Sequence, residues 1–388
     1  MKIYDKIQYF YKTVKTKKNQ IFKILTQVET SDTARDEIRR FLDCLISIDK
    51  QFDYIESCKV YKISTYLPLN QPLYSLLLFV FIPSLMAKIV YFRPPVRLRN
   101  IDLEILNLFP EVLKDIICCP ISRKMFFDEY VFDSNVVIFT GEYINAMKLL
   151  LKISDNILFI FNGSALNPIL VTQTADIKKA VDDSIQARLY NSGQDCMAPS
   201  AIFLHQDIVR SFIEEMIKKL IMAKAGRKNL NCNIGKMLES KSMTETKKIF
   251  SKYEDRLIFG GNFNEIDKII NPTIFKFDKP QDLPQLVIYA PIFFIAEYSN
   301  INQVTEYLST PKAQNLSGYI SIYTKEKQIF DCIFQKLIII YNQNLFKWED
   351  GNKEFGGRGE HCSFVSYNGV RISKPILISR EIAMFFNS

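Results

Sequence analysis

From Lys59 onward the chain alternates short runs of β-branched and aromatic residues with longer amphipathic stretches, and this alternation narrows the possible folds more than any other feature. Strands are expected over 60–66, 89–92, 115–118, 125–127 and 136–139, with helices over 73–87 and 103–109 among them. Gly141 is expected to open a helix over 144–152, followed by a strand over 157–161. A second block starts at 167–171 and adds helices over 176–189, 208–223, 244–253 and 301–308, with strands over 256–259, 317–323 and 337–341. Strands that alternate with helices in this way predict an α/β fold of parallel sheets covered on both faces. The division expected is a helical segment over 1–58, an α/β domain over 59–163, a second over 164–343 and a tail over 344–388.

Length and charge set the function classes. A chain of 388 residues is long enough for two domains with large cores. Its net charge of +8 comes from Lys and Arg interspersed with Asp and Glu, and no nucleic-acid-binding signature accompanies it, so no nucleic-acid partner is expected. The first residues carry charges where a signal peptide needs an apolar core, and the apolar run 76–85 contains Pro83 and is too short to span a bilayer. A soluble cytoplasmic protein with reduced thiols is expected. Eight Cys without paired metal spacing and only two His predict no metal site.

One segment concentrates the features of a nucleophile. Cys196 follows the turn-forming Asn191-Ser192-Gly193 and precedes Ala198-Pro199, between an amphipathic helical stretch and an apolar run at 202–204. A thiol on a turn between a packed helix and a strand can face a cleft while its backbone stays fixed, which suits covalent catalysis. The spacing is equally consistent with a small buried hydrophobe.

The segment Asn191-Ser-Gly-Gln-Asp-Cys196 resembles the active-site segment of the NAD(P)-dependent aldehyde dehydrogenase superfamily. Further resemblances run in the family's order. Residues 65–72 look like its Pro-Trp-Asn segment, 90–94 like Val-Leu-Lys-Pro, 139–141 like Phe-Thr-Gly-Ser, 162–168 stand where Glu-Leu-Gly-Gly-Lys-x-Pro is expected, and 354–357 are similar to Pro-Phe-Gly-Gly. The resemblance implies two Rossmann-like domains, one for the cofactor and one for catalysis, with a C-terminal strand near 370–379 that pairs subunits in a homodimer. Family members usually carry a longer N-terminal portion than the one here.

The resemblance also implies roles. Cys196 would form a thioester from an aldehyde or acyl thioester, and the Asn70 side-chain amide would donate to the developing oxyanion. Arg93 stands where a lysine contacts the adenosine ribose, and a guanidinium there leans toward NADP over NAD. Gly141 would let backbone approach the pyrophosphate at a helix N-terminus, and Tyr289 would lie near the nicotinamide.

Three positions depart from the family pattern. Glu142 replaces a serine, and Val287 replaces a glutamate that bonds the ribose. Asn162 replaces the glutamate general base, and an amide cannot activate water. Three outcomes stay open: transfer of the acyl group to a thiol such as coenzyme A, operation in the reductive direction, or a catalytically degenerate homologue acting as a binding or structural subunit.

Overall fold

The computed structural model describes residues 1–226, 230, 232–326 and 328–387. The chain divides into two compact units, one of 1–163, 350–356 and the segment from Ser363 onward, the other of 164–349 and 357–362. The residues expected to form a single tail over 344–388 are thus shared between the units. No helix among the described residues is long and apolar enough to cross a membrane.

The first unit is built on a seven-stranded sheet. Five strands are parallel, in the spatial order Ile116–Cys118, Ala87–Arg93, Val60–Tyr66, Val136–Thr140 and Leu158–Asn162. Ser363–Tyr367 then adds antiparallel to Leu158–Asn162, and Val370–Ser373 pairs antiparallel with Ser363–Tyr367. The strands Val136–Thr140 and Leu158–Asn162 are apolar along nearly their whole length because both faces are covered, and Leu158–Asn162 is buried at every position. Helices Ile3–Thr16, Lys18–Leu25 and Ser31–Ile46 belong to this unit, with Phe10 stacked on Phe81 at 4.6 Å.

The second unit holds another seven-stranded sheet. Its order is Ile338–Tyr341, Tyr319–Tyr323, Ile169–Val171, Ile202–His205, Ile292–Tyr298, Thr273–Phe277 and Leu257–Phe259, all parallel except the last. Both units are the α/β parallel-sheet folds that the alternation predicts.

Three local expectations are overturned. The helix over 73–87 is interrupted: Pro72–Leu76 passes into a π-helical turn, Leu77–Phe81, before Pro83–Met86. It stops at Met86 because Ala87 is already in register with Val60. Residues 125–127 are not a strand. Ser122 accepts from the Met125 amide at 3.1 Å and so caps a helix, Arg123–Phe126, that leads into a π turn at Phe127–Val131. A short apolar run carries no periodicity to separate the two states. Of the strand expected near 370–379 only Val370–Ser373 forms, while Ile378–Phe386 is a helix whose inner face buries Ile382 and Ala383.

Candidate active site

In the second unit, Asp176 caps the helix Ile177–Leu189 by accepting from the Lys179 amide at 3.1 Å. Beyond the helix the chain reverses through three consecutive residues with positive φ, Asn191 at 46°, Ser192 at 60° and Gly193 at 78°. Only glycine fits the third, since an added Cβ would lie 2.4 Å from the Ala290 carbonyl oxygen.

A fully buried guanidinium holds this reversal. Arg188 donates from Nε to Ala290 O at 3.0 Å, from Nη1 to Pro199 O at 2.9 Å, and from Nη2 to Gly193 O at 3.2 Å and Ala290 O at 2.6 Å. Nη2 also donates to Ile288 O. Burial draws its pKa down to about 9, which leaves it charged at neutral pH, and nearby Asp195 favours the charged form.

The backbone around Cys196 is pinned from several sides. Asn167 Nδ2 donates to Cys196 O at 3.0 Å, and Asp195 Oδ1 accepts from the Met197 amide at 2.8 Å. Ser192 Oγ accepts from Gly235 N at 2.8 Å and Gln194 Oε1 from Leu238 N at 2.7 Å. The Cys196 side is half-buried, whereas Cys44, Cys119 and Cys362 are buried. Burial pushes Cys119 up to about 11 and Cys362 up to about 12, which leaves them inert thiols at neutral pH. The half-buried Tyr289 shares this neighbourhood, because Arg188 grips the carbonyls on either side of it. Its hydroxyl is hydrogen-bonded to Ser164 Oγ.

In the first unit, register aligns the candidate cofactor residues. Tyr66 pairs with Arg93 and Phe139, Phe92 with Cys118, and Thr140 with Asn162. Arg93, Gly141 and Asn162 therefore lie at the carboxyl ends of the parallel strands, and Asn70 lies on the loop that leaves Tyr66. In open α/β sheets, ligands bind outside these ends where the strand order reverses. Here it reverses between Val60–Tyr66 and Val136–Thr140.

Arg93 Nε donates to Ile121 O at 3.0 Å. Burial, with the positive charges of Arg123 and Arg99 adding to it, depresses its pKa. Glu142 is exposed, and its Oε2 accepts from Asn145 Nδ2 at 3.2 Å, so the carboxylate engages its own helix. Asn162 is buried at 7% exposure, and its carbonyl accepts from the Gly141 amide at 3.0 Å. A Cβ at Gly356 would lie 3.6 Å from Asn162 Oδ1.

Sequence reasoning passed over Arg188 and a group of buried charges behind Asn70. Glu29, Glu37 and Arg40 are 2%, 0% and 5% exposed. The available signal was positional, since Glu37 falls within the apolar stripe of Ala34, Ile38, Phe41 and Leu45.

Residues 131–357, more than half of the chain, match the profile of the aldehyde dehydrogenase family. The match contains Gly141, Asn162, Cys196 and Tyr289, while Asn70 and Arg93 precede it. A lactaldehyde dehydrogenase of Methanococcus aeolicus is 26% identical over 199 residues, 49% of this chain and 41% of that protein. A putative aldehyde dehydrogenase, AldX, of Bacillus subtilis is 23% identical over 305 residues, 71% of this chain and 64% of that one. The chain thus spans less than two thirds of the length of these relatives. Among solved structures, an NADP-dependent glyceraldehyde-3-phosphate dehydrogenase from Bacillus halodurans complexed with NADP superposes with a TM-score of 0.83 at 14% identity, covering 100% of this chain and 85% of that one. A glyceraldehyde-3-phosphate dehydrogenase from Methanocaldococcus jannaschii complexed with NADP gives 0.79 at 18% identity, over 96% and 89%. At such identities the likeness is one of fold.

Proposed function

The chain belongs to the aldehyde dehydrogenase family, and from that premise we propose that it is an NAD(P)-dependent oxidoreductase that forms a thioester on Cys196. The observation that carries this reading is the combination of a half-buried thiol with a backbone held by Arg188, Asn167 and Asp195. A nucleophile on so constrained a turn meets the substrate carbonyl in one geometry.

The Cys196 sulfur would attack an aldehyde carbonyl, and the electron pair of the C=O bond would move to oxygen. The Asn70 amide would donate to that oxyanion, a contact worth on the order of 10²- to 10³-fold in rate. A bound nicotinamide supplies the hydride acceptor. Arg93, with Arg99 and Arg123 beside it, supports binding of a phosphate-bearing adenosine and so favours NADP. The Gly141 turn leads into helix Tyr143–Leu150, whose N-terminal amides suit the pyrophosphate. Val287 offers the ribose no side-chain hydrogen bond.

Asn162 directs the fate of the thioester. Its amide has no proton-accepting carboxylate, so hydrolysis lacks a base and the acyl group is best passed to an external thiol such as coenzyme A, or taken from one in the reductive direction. The reading includes a homodimer, because the edge strand Val370–Ser373 exposes Val370 at 61% and Ile372 at 47%.

Asn162, Val287 and Glu142 together favour a second reading, a family member that binds without turnover. Titration with NADPH and NADH, followed by aldehyde and acyl-CoA turnover with Cys196→Ala as control, separates the two. Micromolar binding with turnover abolished by Cys196→Ala supports the enzyme, and no binding of either coenzyme at millimolar concentration supports the second reading.

A further inference from the structure

The loop that carries Asn70 is held by charges buried in the N-terminal helices. Gln71 follows Asn70 with φ at 50°, a left-handed conformation that is unfavourable for a non-glycine residue. The Asn70–Gln71 peptide is fixed at both of its polar atoms. Its carbonyl accepts from Ser75 Oγ at 3.1 Å, and its N–H donates to Glu29 Oε1 at 3.0 Å. Arg40 Nη1 donates to Gln71 Oε1 at 2.7 Å, and its guanidinium lies 4.0 Å over the Tyr74 ring. Glu37 Oε2 accepts from the amides of Leu73 at 3.0 Å and Tyr74 at 3.3 Å, capping the helix Pro72–Leu76 from another helix.

Rotation of that peptide plane is rotation about the ψ angle of Asn70, which also sets where its side chain projects relative to the following helix. Glu29 thus holds that peptide directly, Arg40 holds the side chain of Gln71, and Glu37 holds the start of the helix that follows. Burial, reinforced by the adjacent Glu29 carboxylate, raises the Glu37 pKa well above its ordinary value.

We propose that Glu29, Glu37 and Arg40 are positioning residues that aim the Asn70 amide at the oxyanion, which makes the N-terminal helices part of the catalytic apparatus. This inference rests on the reading of Asn70 as the oxyanion donor, and the test tells the two apart.

The test uses two reagents on the full chain. p-Nitrophenyl acetate acylates a thiol: the sulfur attacks the carbonyl, an oxyanion forms and collapses, and nitrophenolate leaves with its bonding pair. Iodoacetamide alkylates the same sulfur by displacement of iodide, with no oxyanion. Asn70→Ala is expected to slow acylation of Cys196 on the order of 100-fold. Gln71→Gly, which keeps the left-handed backbone comfortable and removes the Arg40 contact, is expected to slow it about tenfold. Alkylation should change less than about twofold in both, and the double variant should be no slower than Asn70→Ala alone. Arg40→Lys, read in the same way, serves if Gln71→Gly does not fold.

Parallel losses of acylation and alkylation, or a further tenfold loss in the double variant, would overturn the proposal. If Asn70→Ala slows acylation while Gln71→Gly and Arg40→Lys do not, only the positioning role falls. If Asn70→Ala leaves acylation unchanged, the oxyanion reading falls with it.

Discussion

The guanidinium of Arg188 donates twice to one acceptor, the carbonyl of Ala290, from Nε at 3.0 Å and Nη2 at 2.6 Å. That same carbonyl forms the wall against which Gly193 packs without room for a side chain. One buried cation thereby fixes both the Cys196 turn and the strand-entry segment that carries Tyr289, and it uses backbone carbonyls that no sequence pattern reveals.

Arg188→Lys should be far from conservative. A single ammonium cannot replace a planar fork that reaches carbonyls of Gly193, Pro199, Ile288 and Ala290. Several buried acceptors would lose their donors, and a loss of about 3 kcal/mol or more is expected in urea unfolding. A loss below about 1 kcal/mol would mean that the fork contributes little.

The thiols should sort by environment. Under limiting iodoacetamide, the half-buried Cys196 and the exposed Cys332 should be modified while Cys44, Cys118, Cys119 and Cys362 stay intact in the folded chain. Burial raises the pKa of Cys118, Cys119 and Cys362 alike. Mass spectrometry of peptides reads the order directly.

Asn162→Glu should restore a carboxylate where the family pattern has one. Once Cys196 is acetylated, the variant should lose the acetyl group at least about tenfold faster than the parent. An unchanged adduct lifetime would separate Asn162 from the fate of the acyl group.

Glu37 gives a stability that depends on pH with a definite sign. Its folded pKa lies above its unfolded value, so its contribution is full below the unfolded pKa and is lost as pH rises through the raised folded value. Glu37→Gln keeps an acceptor for Leu73 and Tyr74 but cannot ionise. Its thermal midpoint should therefore gain on the parent as pH rises from the ordinary carboxylate range toward the raised folded value, and a constant gap would contradict a raised Glu37 pKa.

Asp102 is 1% exposed, and neither of its carboxyl oxygens has a hydrogen-bond partner among the described residues. Burial raises its pKa well above the ordinary range, so its cost grows as pH rises through that raised value. Asp102→Ala should stabilise the chain by about 1–2 kcal/mol at neutral pH and by less in acid, as measured by urea unfolding. Destabilisation at neutral pH would show that the carboxyl is satisfied.

Local sequence determined the elements whose periods are unambiguous. The strand Val60–Tyr66 and the helix Ile177–Leu189 were legible because β-branched runs and apolar spacing act over a few residues. The α/β architecture follows from their alternation, and a short motif made Cys196 conspicuous. Tertiary structure alone decided the rest. Residues 123–126 became a helix because Ser122 caps them, and Ala87 ended a helix by joining Val60. Arg188 and the trio of Glu29, Glu37 and Arg40 read as ordinary charged positions on helices, since their partners lie far away in the chain. A buried charge is tolerated only where distant backbone groups converge on it, and that convergence is a property of packing rather than of any local pattern.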